Sequence, residues 1–256
     1  MKAFIKQPVT NMRISRLYLD IPLSEQQTIT LDGERLNYIA NVLRLKANTQ
    51  LSIFNGRGGE HLALITAINK RSATIEVQAF SDKDTESPLS ITLVQGISRG
   101  ERMDFTLQKA TELGVNRIIP VFSQRCTVNL KGERLTKRLQ HWQGVVNSAC
   151  EQSGRNIIPQ VEAAQELEAY LELENGQCRI FLDPEATQTL NSISPAPASA
   201  TILIGPEGGF DSQERQKIYT KNYQGIQLGP RVLRTETAAI ATISAMQILW
   251  GDFQTN

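Results

Sequence analysis

Thr201-Ile202-Leu203-Ile204-Gly205-Pro206-Glu207-Gly208-Gly209-Phe210 and, further on, Ile226-Gln227-Leu228-Gly229-Pro230-Arg231-Val232-Leu233-Arg234-Thr235-Glu236-Thr237-Ala238 decide the fold. The first begins as a short apolar run, suited to a strand buried on both faces, the second as a short strand, and each breaks into glycine and proline. Between them, Asp211 and Glu214 form an Asp-x-x-Glu capping box that predicts a helix over 211–223. Beyond them, Thr235–Trp250 reads as a closing helix. Strands are predicted at 201–204 and 226–228. This alternation is the mark of an α/β domain with a mostly parallel sheet and helices on both faces.

Working back toward the N-terminus, the alternation continues. Residues 179–182 form a strand, 167–173 an acidic helix and 133–150 a longer helix. A β-α-β unit comes before them: strand 91–95, helix 103–113 with Gly114 as its C-terminal cap, and strand 117–122. Residues 81–88 (SDKDTESP) are charged, lack a large apolar side chain and end in proline, so they read as a linker. Residues 12–80 have a different character, with the strand-like runs RLYL, LSIF, LALITAI and ATIEVQAF and one helical interruption at 34–45. FNGRGGE (54–60) reads as a turn; as a phosphate cradle it lacks a following helix start with Lys-Ser/Thr. Residues 1–11 are a leader with no assigned role.

Composition limits the function. The 256 residues are 40% apolar and 21% charged, with a net charge of +1, which excludes general disorder and a polybasic DNA-coating protein. The longest uncharged stretches contain proline and serine, so no membrane span is expected, and the N-terminus has no signal-peptide core, which places the chain in the cytoplasm. Cys126, Cys150 and Cys178 have no metal or redox spacing, and His61 and His141 have no ligand companions, so no metal is expected. Charge is uneven: residues 99–138 carry nine Lys/Arg against four Asp/Glu, whereas 139–256 carry seven against thirteen. A phosphate-facing patch would have the first balance, as would a solvated helix face.

In open α/β sheets, ligands bind where strands end at their carboxyl termini, which directs attention to the loops after Leu182, Ile204 and Leu228. Gly205, Gly208 and Gly209 lie within five positions, more than a tight turn needs, and allow backbone groups to approach a ligand. The loop is neither Gly-x-Gly-x-x-Gly nor a Gly-x-x-x-x-Gly-Lys-Ser/Thr phosphate loop, and the chain has no Gly-x-Ser-x-Gly elbow.

ILIGPEGGF and LGPRVLRTETAAIATISAMQ resemble the C-terminal signature of the SPOUT class of S-adenosylmethionine-dependent RNA methyltransferases. QGISRGERMDFTLQKATELGV, VFSQRCTV and ACEQSGRNIIP, with RISRLYL and VLRL, narrow the resemblance to the bacterial 16S ribosomal RNA uridine-N3 methyltransferase family (RsmE type), across about residues 12–253. The resemblance implies a PUA-like β-barrel at 12–80, a trefoil-knotted SPOUT domain at 89–256, a homodimer, and a 16S rRNA substrate in the assembled small subunit. It places S-adenosylmethionine among Leu182, Ile204, Gly205, Pro206, Glu207, Gly208, Leu228, Gly229 and Leu233. Asn37 stands where the family often has histidine.

Methylating uridine N3 requires an unpaired base, loss of the imide proton, and stabilisation of the charge left on O2 and O4. Arg234 and Glu236, at the start of the last helix, are the principal catalytic candidates. Glu207 is an alternative base or a brace for its loop, and Thr235 with Glu236 also fits a plain helix cap. Arg13, Arg16, Arg44, Lys46, Arg99 and Arg102 are candidate phosphate contacts, with Arg125 and Arg155 behind them. Competing readings are a ribose 2′-O-methyltransferase and a non-catalytic RNA-binding ribosome-assembly factor.

Overall fold

The computed structural model describes residues 14–173 and 178–253, and the chain divides into two compact units between Asp84 and Thr85. The first contains β1 (Arg16–Tyr18), β2 (Thr28–Leu31), α1 (Gly33–Asn37), β3 (Gln50–Phe54), β4 (Glu60–Ile68) and β5 (Ala73–Ser81). They form a five-stranded sheet ordered β1-β3-β4-β5-β2, parallel only between β1 and β3. Leu17, Leu51, Ile53, Ala63, Ile65, Ile75 and Val77 fill its core, joined by Ile29 and Leu31 of β2, a strand not anticipated from the sequence although its burial alternates. The helix expected over 34–45 is shorter: α1 passes into a π-helical turn at Tyr38–Val42, and Arg44 adopts a left-handed φ of 54°.

The second unit contains β6 (Ser90–Gly96), α2 (Glu101–Glu112), β7 (Arg117–Phe122), α3 (Gly132–Ser153), β8 (Gln160–Val161), β9 (Gln165–Glu166), α4 (Leu167–Leu173), β10 (Cys178–Leu182), β11 (Ser199–Ile204), α5 (Ser212–Thr220), β12 (Gln224–Ile226) and α6 (Thr235–Trp250). The strand order is β12-β10-β11-β6-β7-β8, with β9 also on β7, and every pairing in this sheet is parallel. β6 and β11 are buried almost throughout, as strands covered on both faces must be. Val94, Phe181 and Leu203 meet α4 and α5 through Tyr170, Leu171 and Ile218. α2 packs on α3 and α6, and α6 packs on β11.

Local chemistry accounts for the element ends. Asp211 caps α5 through the expected box, its carboxylate accepting from the Glu214 N–H at 2.8 Å while Glu214 accepts from the Asp211 N–H at 3.0 Å. Gly114, at φ 89°, follows α2 as expected. Two expectations shift. β12 ends at Ile226, opposite Leu182 of β10, so Gln227 and Leu228 belong to the loop. Residues 85–88 are anchored in the second unit: the Thr85 hydroxyl donates to the Gly154 carbonyl, Glu86 pairs with Arg155, and the Ser87 hydroxyl donates to Gln247.

Candidate active site

β12, β10 and β11 are neighbours in the sheet, so the turns leaving Leu182, Ile204 and Ile226 emerge side by side, next to the point where the order departs from β6 in the other direction. They enclose a cavity of about 370 Å³, within the roughly 300–1,000 Å³ of small-molecule sites. Leu182, Ile204, Gly205, Pro206, Glu207, Gly208, Leu228, Gly229 and Leu233, the residues expected to hold the cofactor, all line it. Leucine and isoleucine supply an apolar wall, and the glycine segments present bare backbone beside it.

Close approach explains the glycines. A Cβ on Gly208 would lie 2.9 Å from Cβ of Arg125, and one on Gly96, at the end of β6, 2.5 Å from both N and Cδ of Pro206. Gly96 is therefore what lets the 205–209 turn lie against β6, a role the sequence reading missed. Thr235 ties this turn to α6: its hydroxyl donates to the Gly205 carbonyl at 2.6 Å and accepts from Gln95 Nε2 at 3.0 Å.

The polar lining is organised in pairs. Glu207 Oε1 accepts from the Arg99 backbone N–H and from Arg102 Nη1, both at 2.9 Å. Partial burial pushes its carboxyl up, but these hydrogen bonds, its own backbone N–H and the Arg102 charge together hold it below the usual glutamate range. Arg125 Nη1 donates to the Gly208 carbonyl at 3.0 Å. Asp183, with a fully buried side chain, accepts from Arg215 Nη2 and the Tyr219 hydroxyl, each at 2.9 Å. Arg215 also pairs with Glu185 at 2.6 Å, and hydrogen bonding to Glu185 and then to Asp183 pushes its guanidinium pKa upward. Burial, reinforced by Asp183, raises the Tyr219 phenol. Asp183 and Arg215 also line the cavity; Asp183 opens the expected loop after Leu182 although it was not singled out, and only packing brings Arg215 of α5 there.

The remaining candidates separate. Arg234 is exposed at the N-cap of α6, outside the cavity lining, and Glu236, two residues on, lines a second cavity beside α2. Arg99, Arg102 and Arg125 are exposed around the 205–209 turn, and Arg44 and Lys46 are exposed in the first unit. Two phosphate candidates are corrected. Arg155 is buried, pairing with Glu86 and donating to the Thr111 and Val115 carbonyls at 2.9 and 2.7 Å, so its donors are engaged inside the second unit. Arg16, largely buried, pairs with Glu60 and its guanidinium lies over Phe54, 4.6 Å from the ring centroid. Arg13 lies outside the described residues. His61 packs on Phe80 and His141 pairs with Asp104. Among the described residues no group of three His, Cys, Asp or Glu is placed to hold a metal, and no helix is long and apolar enough to cross a membrane.

Residues 85–247 match the family model for the RNA methyltransferase domain, and residues 31–78 match that for the RNA methyltransferase PUA domain. A relative from Buchnera aphidicola subsp. Schizaphis graminum named ribosomal RNA small subunit methyltransferase E is 40% identical over 242 residues, 94% of this chain and 98% of its own. The chain belongs to the ribosomal RNA small subunit methyltransferase E family. A crystal structure of methyltransferase E from Neisseria gonorrhoeae, bound to S-adenosyl methionine, is similar with a TM-score of 0.88 and 42% identity over 94% of this chain and all of that one. A methyltransferase from Legionella pneumophila in complex with the same cofactor is similar with a TM-score of 0.92 and 35% identity, again over 94% of this chain and all of that one. The family resemblance drawn from the sequence motifs therefore holds, as do the parallel α/β sheet and the PUA unit.

Proposed function

We propose that the chain methylates N3 of a specific uridine in 16S ribosomal RNA of the small subunit, with S-adenosylmethionine as donor. The observation that carries this reading is the convergence of three strand-end turns on one cavity lined by the whole expected cofactor set, in a chain similar to two solved structures, from Neisseria gonorrhoeae and Legionella pneumophila, that hold that donor. When bound, the donor supplies a methyl group already activated on a sulfonium. Leu182, Ile204, Leu228 and Leu233 would hold it through its apolar surface, and the backbone at Gly205, Gly208 and Gly229 would hold its polar groups.

The chain's own residues supply alignment, a proton acceptor and a counter-charge. Glu236 takes the imide proton from N3. Arg234 donates to the carbonyl oxygens, on which negative charge grows, and the N-terminal end of α6 favours the same charge. Glu207 acts as a brace: tied to Arg99 and Arg102, its carboxylate is a weaker base than an ordinary glutamate. Arg125 at the cavity, Arg99 beside the 205–209 turn, and Arg13, Arg44 and Lys46 in the first unit contact phosphates.

The working enzyme is a cytoplasmic homodimer with the knotted chain path of the SPOUT class. α6 supports the dimer: it is apolar around its circumference, and Ile248 is 54% exposed. The test is to incubate the purified protein with unmethylated small subunits and donor, digest the RNA and identify the nucleoside by mass spectrometry. The expected product is 3-methyluridine. A ribose methyl would assign 2′-O chemistry instead, and donor binding without transfer would assign a non-catalytic assembly factor.

A further inference from the structure

A second cavity, of about 510 Å³, is walled by Arg102, Asp104, Phe105, Gln108, Val145 and Glu236 from α2, α3 and α6. It adjoins the first in two ways. Arg102 lines the second cavity and Glu207 the first, and the two side chains form an ion pair at 2.9 Å. Thr235 and Glu236, consecutive residues whose Cα atoms are about 3.8 Å apart, line the first and second cavities respectively.

The lining is chemically unusual for a helix surface. Phe105 is 46% exposed, and Lys109 Nζ lies 5.9 Å from its ring centroid. Glu236 Oε2 and Asp104 Oδ1 are both buried without a hydrogen-bond partner, although Asp104 Oδ2 lies 2.7 Å from His141 Nε2. A buried acceptor left unmatched is costly, so two of them beside one cavity favour a ligand that brings hydrogen-bond donors.

We propose that this cavity receives the base to be methylated, with the ring stacked on Phe105 and its pairing edge read by Arg102, Gln108 and Glu236; the proposal rests on the uridine-N3 reading above. Uracil presents acceptor, donor and acceptor along that edge. Arg102 and the Gln108 amide each donate to one lone pair of O2 and O4, leaving the second lone pairs to Arg234 at the start of α6, and the Glu236 carboxylate, on rotating toward the cavity, accepts from N3–H. Cytosine would set its N3 lone pair against that carboxylate, so the same side chains select uracil over cytosine.

The experiment uses the full-length protein and unmethylated small subunits whose RNA carries 4-thiouridine in place of a fraction of its uridine. After irradiation, cross-linked peptides are mapped by mass spectrometry in the wild type, Phe105→Leu and Phe105→Trp. The expected result is a cross-link to the peptide spanning residues 103–109, weakened about tenfold in Phe105→Leu and retained in Phe105→Trp, as loss and restoration of one stacking contact predict. Calorimetric affinity for S-adenosylmethionine should be equal in all three proteins. Cross-links confined to peptides outside α2, α3 and α6 would overturn the assignment. So would a change of oligomeric state in Phe105→Leu by sedimentation, which would give the cavity to a second copy of the chain. A ribose methyl found in the digest while the 103–109 cross-link persists would instead overturn the N3 reading and leave the base cavity in place.

Discussion

At Glu207 partial burial favours the neutral acid, whereas the Arg99 N–H and the Arg102 guanidinium favour the anion more strongly. A carboxyl depressed in the folded state stabilises the fold above its unfolded value, and that contribution fades as pH falls through the lower folded value. The melting-temperature difference between wild type and Glu207→Gln should therefore be largest near neutrality and close as pH is lowered from about 7 to about 3; a constant gap would show that charge is not its source. Arg234, exposed outside the cavity, is expected to matter to transfer and not to donor affinity. Arg234→Ala should bind S-adenosylmethionine normally in calorimetry and lose about a hundredfold or more in kcat, the scale of losing one donor to a developing oxyanion; unchanged turnover would remove it from the catalytic set. Arg155 behaves oppositely. Arg155→Ala removes the buried guanidinium that pairs with Glu86 and donates to two carbonyls, so urea denaturation should register about 3–5 kcal/mol of lost stability, while the salt dependence of RNA binding in the folded fraction stays as in the wild type.

Elements inherit these constraints. The 205–209 turn is held between β6 and the start of α6, with Gly96 on one side and Thr235 on the other. Gly96→Ala would press a methyl into Pro206, whose ring cannot rotate aside, and should cost about 1–3 kcal/mol in denaturation experiments together with weaker donor binding; wild-type behaviour in both would contradict this packing. Most of these elements were legible from local pattern. α6 begins and ends where its sequence periodicity and flanks indicate, α4 begins at Leu167 as expected, and α5 starts at its capping box, because helix periodicity and caps act within a few residues. β12 was misplaced by two residues because Leu228 repeats the apolar spacing of Ile226; only pairing with β10, which stops at Leu182, shows that the strand ends before Leu228, which lines the cavity from the loop as expected.

For the whole molecule, the division between Asp84 and Thr85 separates two tasks under the proposed function. The second unit, with residues 85–88 included because they are anchored in it, should bind S-adenosylmethionine by itself but transfer no methyl to small subunits without the first. If α6 forms the dimer, Ile248→Glu should sediment as a monomer while retaining donor binding; a persistent dimer would place the interface elsewhere. The amino-acid order alone determined the class of fold and pointed to the three strand-end loops, because glycine excess, apolar runs and caps are properties of neighbouring residues; the family was legible separately, in motifs such as ILIGPEGGF that resemble those of its members. Tertiary structure alone decided that β11 inserts between β10 and β6, so that three distant turns share one cavity. It also decided which of the candidate arginines stay exposed and which are engaged inside the protein. Arg16 and Arg155 are engaged by carboxylates 44 and 69 residues away along the chain, and no local pattern encodes a partner that only folding brings near.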